Sequence, residues 1–377
     1  QFKGRVWAYN ASNLNEAPQD ITPSVINSGD QATQVMAKDG YVVLGASARK
    51  SIFVYEVSNL SATPTELTAP SGVGRYLGGV RTAIADGKLF VGNDQAPATN
   101  GAVNGGRVDV YDLSNLAGGV QTTFSAPDAE DNEGWASVFT YGNTLVYSGS
   151  SDNEGDTPYS GSFYIYDVTD LTATPTKVSN PSPDQWDWFA ARVEFLPITS
   201  TSSVVGGDVD TTSRWATWTG STTNKRDVSG YNIYPQFSTT STFTIDGTEA
   251  TAGTGTTTSN VYALVSATGE DSTGTNDGAV YIYDIANPTA GPTVVPQPSA
   301  PNYYSEPRSL GGDITREPNG TRFAVTAGGY FEDNSVDPTV SENDPRKGAV
   351  FIYDYANLSA EPIMVLPPSI TIDEPFI

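Results

Sequence analysis

The side chains best suited to chemistry in this sequence are carboxylates in Gly- and Asn-rich stretches. Asp152, Glu154 and Asp156 stand at alternate positions of one such stretch. Similar acidic runs are found at 208–210, 270–277 and 332–337. Calcium prefers about six to eight oxygen ligands from flexible loops, and alternating carboxylates can provide several of them. The sequence therefore predicts Ca²⁺ as a candidate cofactor at Asp152, Glu154 and Asp156. The alternative is that these runs are solvated turns of an acidic protein.

Tryptophans form the second candidate site. Trp135, Trp186 and Trp188 lie in segments that connect one group of predicted strands to the next. If exposed, they would form a patch that binds a glycan or a protein, because an indole offers a large rigid apolar face. If buried, they would be plugs between neighbouring sheets, and this interpretation is the one we favour from the sequence.

Two residue types are missing from the chain. There is no histidine and no cysteine, so disulfides, thiolate chemistry, His-ligated zinc and His-based proton relays are excluded. A glycoside hydrolase needs only two carboxylates about 5 to 10 Å apart. No repeat, however, carries carboxylates that depart from the common pattern toward a shared centre. We therefore expect no enzymatic activity and no catalytic residue.

A repeated segment determines how these side chains are positioned. Its copies are 4–9, 51–56, 106–112, 161–167, 278–284 and 348–354. Self-similarity of this kind indicates a repeat architecture. In the last five copies a Tyr alternates with Val or Ile, which predicts burial between repeats rather than a sugar platform. These tyrosines are Tyr55, Tyr111, Tyr166, Tyr283 and Tyr353. The Asp that follows is expected to fix a turn through backbone hydrogen bonds.

Each repeat divides into an inner and an outer pair of strands, with hairpin signals such as Asp86-Gly87 between the inner ones. Four-stranded sheets arranged radially bury their faces on one another and leave only short edges. We predict an all-β fold, a single β-propeller over 1–377 with six to seven four-stranded blades, seven being favoured, and a composite closing blade. The predicted blades are 32–69, 79–126, 136–178, 191–236, 243–297 and 308–367, with outer strands of the closing blade at 1–24 and a C-terminal strand at 369–377.

The strand count predicts an assembly. The outer pair within 1–24 has no inner pair before it, and 369–377 can supply one strand at most. An incomplete sheet can be filled by a strand of another copy, and head-to-tail repetition of that contact gives a filament. We therefore expect self-association into a filament, or association with other appendage proteins, through the terminal strands. The residues expected there are Arg5, Trp7, Tyr9, Ile370, Ile372 and Phe376.

The chain resembles FG-GAP repeats, the blades of integrin-α-type β-propellers, and in particular their relatives in marine phage structural proteins and marine bacterial surface proteins. The matching segments are 134–168, 35–47 and 80–93, with the tails 54–70, 165–181 and 352–368. The resemblance implies a propeller with adhesive or structural duties. It does not imply a substrate. The Asp-x-Asp-x-Asp-Gly calcium loop of the integrin pattern is missing here.

Charge bears on partners and location. The chain has 43 acidic and 19 basic residues and a net charge of −24, which disfavours binding to nucleic acid or anionic membrane surfaces. No apolar run is long enough to insert into a membrane. We expect an extracellular location, either secreted to a cell surface or in a virion, and the first residue, Gln1, fits a processed chain. Asn-x-Ser/Thr sequons stand at Asn10, Asn59, Asn319 and Asn357, although turn chemistry alone explains such Asn residues.

Three functions remain open from the sequence. The first is a non-enzymatic structural or adhesive subunit of an extracellular assembly, a surface fibre or a phage virion appendage. The second is a monomeric propeller that binds a surface glycan or a protein through Trp135, Trp186 and Trp188. The third is a glycoside hydrolase.

Overall fold

The computed structural model describes residues 5–27, 32–70, 81–129, 136–153, 157–202, 215–218, 226–227, 242–245, 248–251, 256–270, 278–298, 310–317, 320–327 and 349–365. The secondary structure of these residues is almost entirely β. The helices among them are short 3-10 turns: Ser47–Arg49, Val57–Asn59, Leu113–Gly118, Pro288–Ala290 and Tyr355–Asn357. No helix in this part of the chain has the length and apolar composition of a membrane span.

The N-terminal half of the chain forms a strand pair and three four-stranded antiparallel sheets. The N-terminal pair is β1 (Trp7–Ala8) and β2 (Gln19–Asp20). Blade 1 is β3 (Ala32–Lys38), β4 (Tyr41–Ala46), β5 (Ser51–Glu56) and β6 (Thr65–Thr68). Blade 2 is β7 (Thr82–Ala85), β8 (Lys88–Asn93), β9 (Arg107–Asp112) and β10 (Thr122–Phe124). Blade 3 is β11 (Ala136–Tyr141), β12 (Thr144–Gly149), β13 (Ser162–Asp167) and β14 (Thr176–Ser179).

Each blade is a meander, and we call its successive strands a, b, c and d. The a-to-b turns follow the predicted hairpin chemistry. Asp39 and Gly40, and likewise Asp86 and Gly87, have positive φ angles. Positive φ at both central residues matches the twist of the flanking strands, and Asp-Gly favours it. The Asp residue that ends strand c fixes the c-to-d turn as predicted, and the Oδ1 atom of Asp112 accepts from the Ser114 backbone N–H at 2.8 Å.

Blade 4 is interrupted between its a and b strands. Its a strand is β15 (Phe189–Ser202). Next come the strands of an inserted sheet: β16 (Trp215–Trp218), β17 (Arg226–Asp227), β18 (Thr242–Ile245) and β19 (Thr248–Thr251). The b, c and d strands of blade 4 are β20 (Thr256–Ala267), β21 (Ala279–Asp284) and β22 (Thr293–Val294). The inserted sheet belongs to a compact unit of its own, Pro197–Val261, and the remaining chain forms the main unit. Blade 5 completes the main unit with β23 (Leu310–Arg316), β24 (Arg322–Ala327), β25 (Ala349–Asp354) and β26 (Ile363–Val365).

This pairing differs from the predicted division of the region into blades 191–236 and 243–297. The order β15-β20-β21-β22 joins strands from both predicted blades in one sheet, whereas β16 to β19 form a separate sheet in the order β17-β16-β18-β19. Because the partner of β15 lies beyond the insertion, a pattern read in consecutive residues assigns β15 to the wrong neighbours.

Successive blades of the main unit pack on one another through apolar faces. One cluster joins blades 2 and 3 and includes Phe90, Phe124, Tyr147 and Tyr166. Another joins blades 1 and 2. The predicted burial of the c-strand tyrosines is confirmed at Tyr55, Tyr111, Tyr166, Tyr283 and Tyr353. An aromatic ring at one fixed place in each blade contributes a large apolar area to the contact with the next blade.

The inner strands of the main unit meet through polar side chains. Lys38 on β3 donates to the Thr140 hydroxyl on β11 at 2.9 Å, and that hydroxyl donates to the Ile84 carbonyl on β7 at 2.9 Å. On β15, Glu194 lies 3.2 Å from Arg316 on β23, and the charges of Lys38 and Glu194 act on each other. The a strands of all five blades thus converge on one polar network, which is the inner wall expected of radially arranged blades.

The predicted fold class is confirmed: the chain is an all-β propeller protein. Its described residues contain six four-stranded antiparallel sheets, five in the main unit and one in the insertion. This number is consistent with the predicted six to seven blades. The N-terminal pair adds a two-stranded sheet, and Ile21 and Ile26 just after it are buried against blade 1.

Candidate functional site

The candidate site lies where the d-to-a connection between blades 3 and 4 meets the b-to-c loops of both blades. We call residues 184–190 the Trp loop. Trp186, Trp188 and Ala190 have φ angles of 74°, 53° and 63°, a left-handed conformation that costs non-glycine residues of order 1–3 kcal/mol each. The alternation turns the side chain of Asp187 to the interior and the two indoles to the surface. Trp186 is 47% and Trp188 36% exposed, while Asp187 is fully buried.

The expectation that these tryptophans are buried plugs is therefore wrong for Trp186 and Trp188. The left-handed backbone at Trp186 and Trp188 accompanies the placement of both rings on the outside. Trp135 lies outside the described residues.

Trp186 is held against the b-to-c loop of blade 3. Its ring stacks on Tyr159 with centroids 4.3 Å apart and planes 14° from parallel. Backbone hydrogen bonds run alongside, from Trp186 N–H to the Pro158 carbonyl at 3.2 Å and from Trp188 N–H to the Tyr159 carbonyl at 3.1 Å. Sequence reasoning missed Tyr159, because nothing in the sequence sets its loop beside the Trp loop. The result is a fixed aromatic surface of Tyr159, Trp186 and Trp188.

Beneath this surface, Asp187 links the Trp loop to two other segments. Its Oδ2 atom accepts from the Asn180 side chain at 2.8 Å and from the backbone N–H of Asp184. Its carbonyl accepts from Gly269 N–H at 3.0 Å. A Cβ at Gly269 would lie 1.9 Å from the Trp186 carbonyl oxygen, so only glycine permits this approach. Because Gly269 has no side chain, the backbone next to Glu270 can lie directly against the backbone of Trp186 and Asp187.

Glu270, next to that glycine, is buried at 3% exposure. Burial, together with the charge of Asp187, raises the pKa of Glu270 to about 7, although hydrogen bonds with Ser182 and Tyr281 oppose the shift. Within the described residues, the Oε2 atom of Glu270 is buried and has no hydrogen-bond partner. Buried carboxylate oxygens are normally satisfied, so this atom is an exception.

The predicted calcium ligand Asp152 lies in the equivalent loop of blade 3. It is buried, and its Oδ2 atom accepts from the Ser162 hydroxyl and lies 3.2 Å from Lys177 Nζ. Glu154 and Asp156 lie outside the described residues. Where side chains are described, no group of three or more acidic residues is placed to hold a metal ion. The side chain of Asp152 thus already has protein partners, and the three-residue calcium site stays a prediction.

Sequence reasoning also missed the polar network at the inner strands. Burial raises the pKa of Glu194, while Arg316 opposes this shift and the charge of Asp313 adds to it. Burial likewise lowers the pKa of Lys38. Charges on facing inner strands are visible only after the blades are placed, because these residues are far apart in sequence.

The predicted assembly residues at the N-terminus lie on an exposed pair of strands. Arg5 pairs with Asp20 at 3.5 Å and lies 5.8 Å above the ring of Trp7. Trp7 is 43% and Tyr9 61% exposed. The other predicted assembly residues, Ile370, Ile372 and Phe376, lie outside the described residues.

Three of the four sequons lie in described turns. The Asn10 side chain accepts from the Ser12 N–H at 3.0 Å, and the amide oxygens of Asn59 and Asn357 accept from Ser61 and Ser359, both at 2.9 Å. These bonds are local turn contacts, so the structure accounts for Asn at all three positions. Asn319 lies outside the described residues.

Comparison with known proteins gives no family. No protein-family model matches the chain, and no curated protein matches it. Among solved structures, the β-propeller domain of the Trilobed protease from Pyrococcus furiosus is 11% identical, with 89% of this chain and 82% of that chain covered and a TM-score of 0.29. Apo AztD from Citrobacter koseri is 13% identical, with 93% and 76% covered and a TM-score of 0.29. At such TM-scores neither likeness carries a conclusion about this chain.

Proposed function

We propose that the chain is a non-enzymatic adhesive subunit that binds a surface carbohydrate through Tyr159, Trp186 and Trp188. The observation that carries the proposal is the stacking of the exposed Trp186 ring on the half-buried Tyr159. Aromatic faces bind the apolar faces of sugar rings by burying area without requiring charge. Because the backbone already fixes these rings, little side-chain freedom is lost on binding.

The acidic residues beneath the surface do not support catalysis. A glycoside hydrolase places two carboxyl groups on either side of the scissile bond. Asp187 and Glu270 are instead covered by the Trp loop, and neither is exposed enough to reach a polysaccharide. We therefore propose binding without turnover, at a site formed by aromatic rings.

The test is binding of the purified protein to a glycan array and to marine polysaccharides in affinity electrophoresis. Trp186→Ala should weaken binding by about tenfold, since loss of one stacked aromatic is worth about 1.4 kcal/mol. Trp7→Ala is the matched control, because Trp7 is also exposed but lies on the N-terminal pair. Equal binding by all three proteins, or turnover of a bound polysaccharide, would contradict the proposal.

A second proposal concerns assembly, and the N-terminal pair favours it. Among described residues, β1 and β2 form a two-stranded sheet with exposed Trp7 and Tyr9. A short sheet of this kind offers unpaired edge groups to an additional strand. We propose that 369–377 supplies this strand to another copy, which would give a filament by head-to-tail contacts.

Deletion of 369–377 tests the assembly proposal. Electron microscopy and light scattering should detect filaments of the full chain and only monomers of the truncated chain, while binding through Trp186 is unchanged. Filaments in both samples would rule out terminal exchange. Monomers in both would leave the chain as a solitary binding propeller.

Two further expectations accompany this proposal, one on the location of the protein and one on its family. The net charge of −24 suits a saline exterior, where salt screens the mutual repulsion of surface charges. We propose an extracellular location, on a cell surface or in a virion, and kinship with FG-GAP repeat propellers. The repeated c-strand segment and the c-to-d tails support this kinship.

A further inference from the structure

Blades 3 and 4 hold the same acidic arrangement at the same place. In blade 3, Asp152 donates its N–H to the Gly149 carbonyl at 2.8 Å and accepts from Gly161 N–H at 2.9 Å. In blade 4, Glu270 donates to Ala267 at 3.3 Å and accepts from Gly278 at 2.9 Å. Each acid therefore lies three residues after the end of strand b and is bonded to the glycine that precedes strand c. The two acids are structural equivalents.

The partners of the two acids are equivalent as well. Tyr164 is the third residue of β13 and Tyr281 the third residue of β21. Tyr164 lies 3.1 Å from Asp152, and Tyr281 hydrogen-bonds Glu270. A second acid comes from the preceding d-to-a connection in both cases. It is Asp128 in blade 3 and Asp187 in blade 4.

The two arrangements differ at the residue that is paired with the tyrosine across the strands. In blade 3, Lys177 is the cross-strand partner of Tyr164, and its Nζ atom lies 2.8 Å from Asp128 and 3.2 Å from Asp152. In blade 4, the cross-strand partner of Tyr281 is Val294. No lysine or arginine is among the described groups that shift the pKa of Glu270. Val294 thus offers no ammonium group at the position from which Lys177 joins the two acids of blade 3.

Glu270 itself carries a buried carboxylate oxygen that is not satisfied by the described residues. The side chain is 97% buried, and its Oε2 atom has no hydrogen-bond partner among the described residues. Burial of a carboxylate oxygen without a partner is disfavoured unless the group is protonated or a cation lies beside that oxygen. A cation beside Oε2 would satisfy it.

We propose that Glu270 and Asp187 form an internal binding site for a divalent, oxygen-preferring metal cation, which does in blade 4 what the Lys177 ammonium does in blade 3. Two carboxylates balance two positive charges, and the hydroxyls of Ser182 and Tyr281 are further oxygen donors near Glu270. Calcium suits such a mixed oxygen set, because it accepts irregular geometry and protein ligands more readily than magnesium. Glu270 and Asp187 come from separate segments of the chain, so the site differs from a calcium loop formed by consecutive residues.

The test uses Tb³⁺ as a luminescent probe and Ca²⁺ as its competitor, on the full chain. A Tb³⁺ ion beside Asp187 lies next to Trp186 and Trp188 in sequence, so excitation of tryptophan should sensitise its emission. Added Ca²⁺ should quench that emission at lower concentration than Mg²⁺. Val294→Lys, which supplies the internal ammonium, should weaken Tb³⁺ binding by about tenfold or more, since a like charge beside a bound cation is strongly unfavourable.

Val294→Met is the matched control, because it lengthens the same exposed side chain without adding charge, and it should bind Tb³⁺ as the parent does. Circular dichroism checks that each variant is folded. Glu270→Gln should also lose the signal. Equal Tb³⁺ binding by the parent, Val294→Lys and Glu270→Gln would place the ion elsewhere and overturn the proposal. No sensitised emission from the parent would overturn it too.

Discussion

The phenol hydroxyl of Tyr55 donates a hydrogen bond of 2.7 Å to the carbonyl oxygen of Ile21. The same bond joins Tyr166 to Ser125 at 2.8 Å and Tyr353 to Pro296 at 3.1 Å. Ser125 and Pro296 each follow the d strand of the preceding blade. Ile21 directly follows β2, so the N-terminal pair lies against blade 1 as an outer pair of strands lies against the blade that follows it.

Removal of one such hydroxyl should loosen the contact between two blades. Tyr166→Phe should lower the free energy of unfolding by about 1 kcal/mol, because the buried Ser125 carbonyl loses its partner while the ring still fills its space. Guanidinium unfolding followed by tryptophan fluorescence measures the change. Tyr9→Phe is the control, since Tyr9 is exposed. Equal losses in the two variants would contradict the role of this bond.

The inner network should make stability depend on pH. The pKa of Glu194 is raised by burial above its ordinary value of 4.5, so the folded state holds the proton more tightly than the unfolded state. The stability that this carboxyl contributes is fully present below pH 4.5 and is lost as pH rises through its folded pKa. Lys38, Asp313 and Arg316 are the charges that act on it.

Urea unfolding at a series of pH values checks this dependence. Glu194→Gln should flatten the fall in unfolding free energy above pH 4.5, because the amide does not titrate. Glu16→Gln, a change of the same kind at an exposed carboxylate, is the control. An unchanged slope in Glu194→Gln would show that another group causes the dependence.

Gly269 should tolerate no side chain. Its Cβ would meet backbone atoms of Trp186 at 1.9 and 2.8 Å, so Gly269→Ala must displace the Trp loop. We expect a loss of about 1–3 kcal/mol, which is typical of overpacking, together with weaker binding at the aromatic surface. Gly149→Ala is the matched control, because its Cβ would have ordinary contacts of 3.5 to 3.7 Å. Thermal unfolding and glycan binding measured on both variants test the expectation, and equal behaviour of the two would contradict it.

The inserted unit should be removable. Since β15 and β20 are neighbours in one sheet, their backbones lie about 4.8 Å apart, and a short turn can join them. Replacement of 203–255 by an Asn-Gly turn should leave the main unit folded. The far-ultraviolet circular dichroism spectrum of the shortened chain, expressed per residue, should keep the β-sheet shape of the parent's spectrum. Aggregation or loss of cooperative unfolding in the shortened chain would show that the main unit depends on the insertion.

Much of this architecture could be predicted because it is written in consecutive residues. Strand alternation and Asp86-Gly87 define a hairpin, and each c-strand tyrosine repeats at a fixed place, as in Tyr166. The strand pairing of blade 4 could not be predicted in this way, because β15 pairs with a strand beyond the insertion. A local pattern contains no information about a partner that distant.

The candidate site was only partly predictable for a related reason. The tryptophans and the acidic loops were visible, whereas the exposure of Trp186 depends on left-handed φ angles that the sequence does not signal. Lys177 in blade 3 and Val294 in blade 4 occupy equivalent positions. This difference can be recognised only when the strand pairing is known, because the pairing places each residue beside a tyrosine. The residues that face each other across two paired strands depend on both strands. The sequence of strand d alone therefore does not show that Lys177 or Val294 lies beside a tyrosine.

In the Trp loop, three consecutive residues belong to two different environments. Trp186 and Trp188 face solvent and Asp187 faces the interior, so neither side can rearrange without the other. A metal ion bound to Asp187 in the interior would also limit the motion of the two indoles at the surface. Any binding through these indoles would then depend on the concentration of that ion.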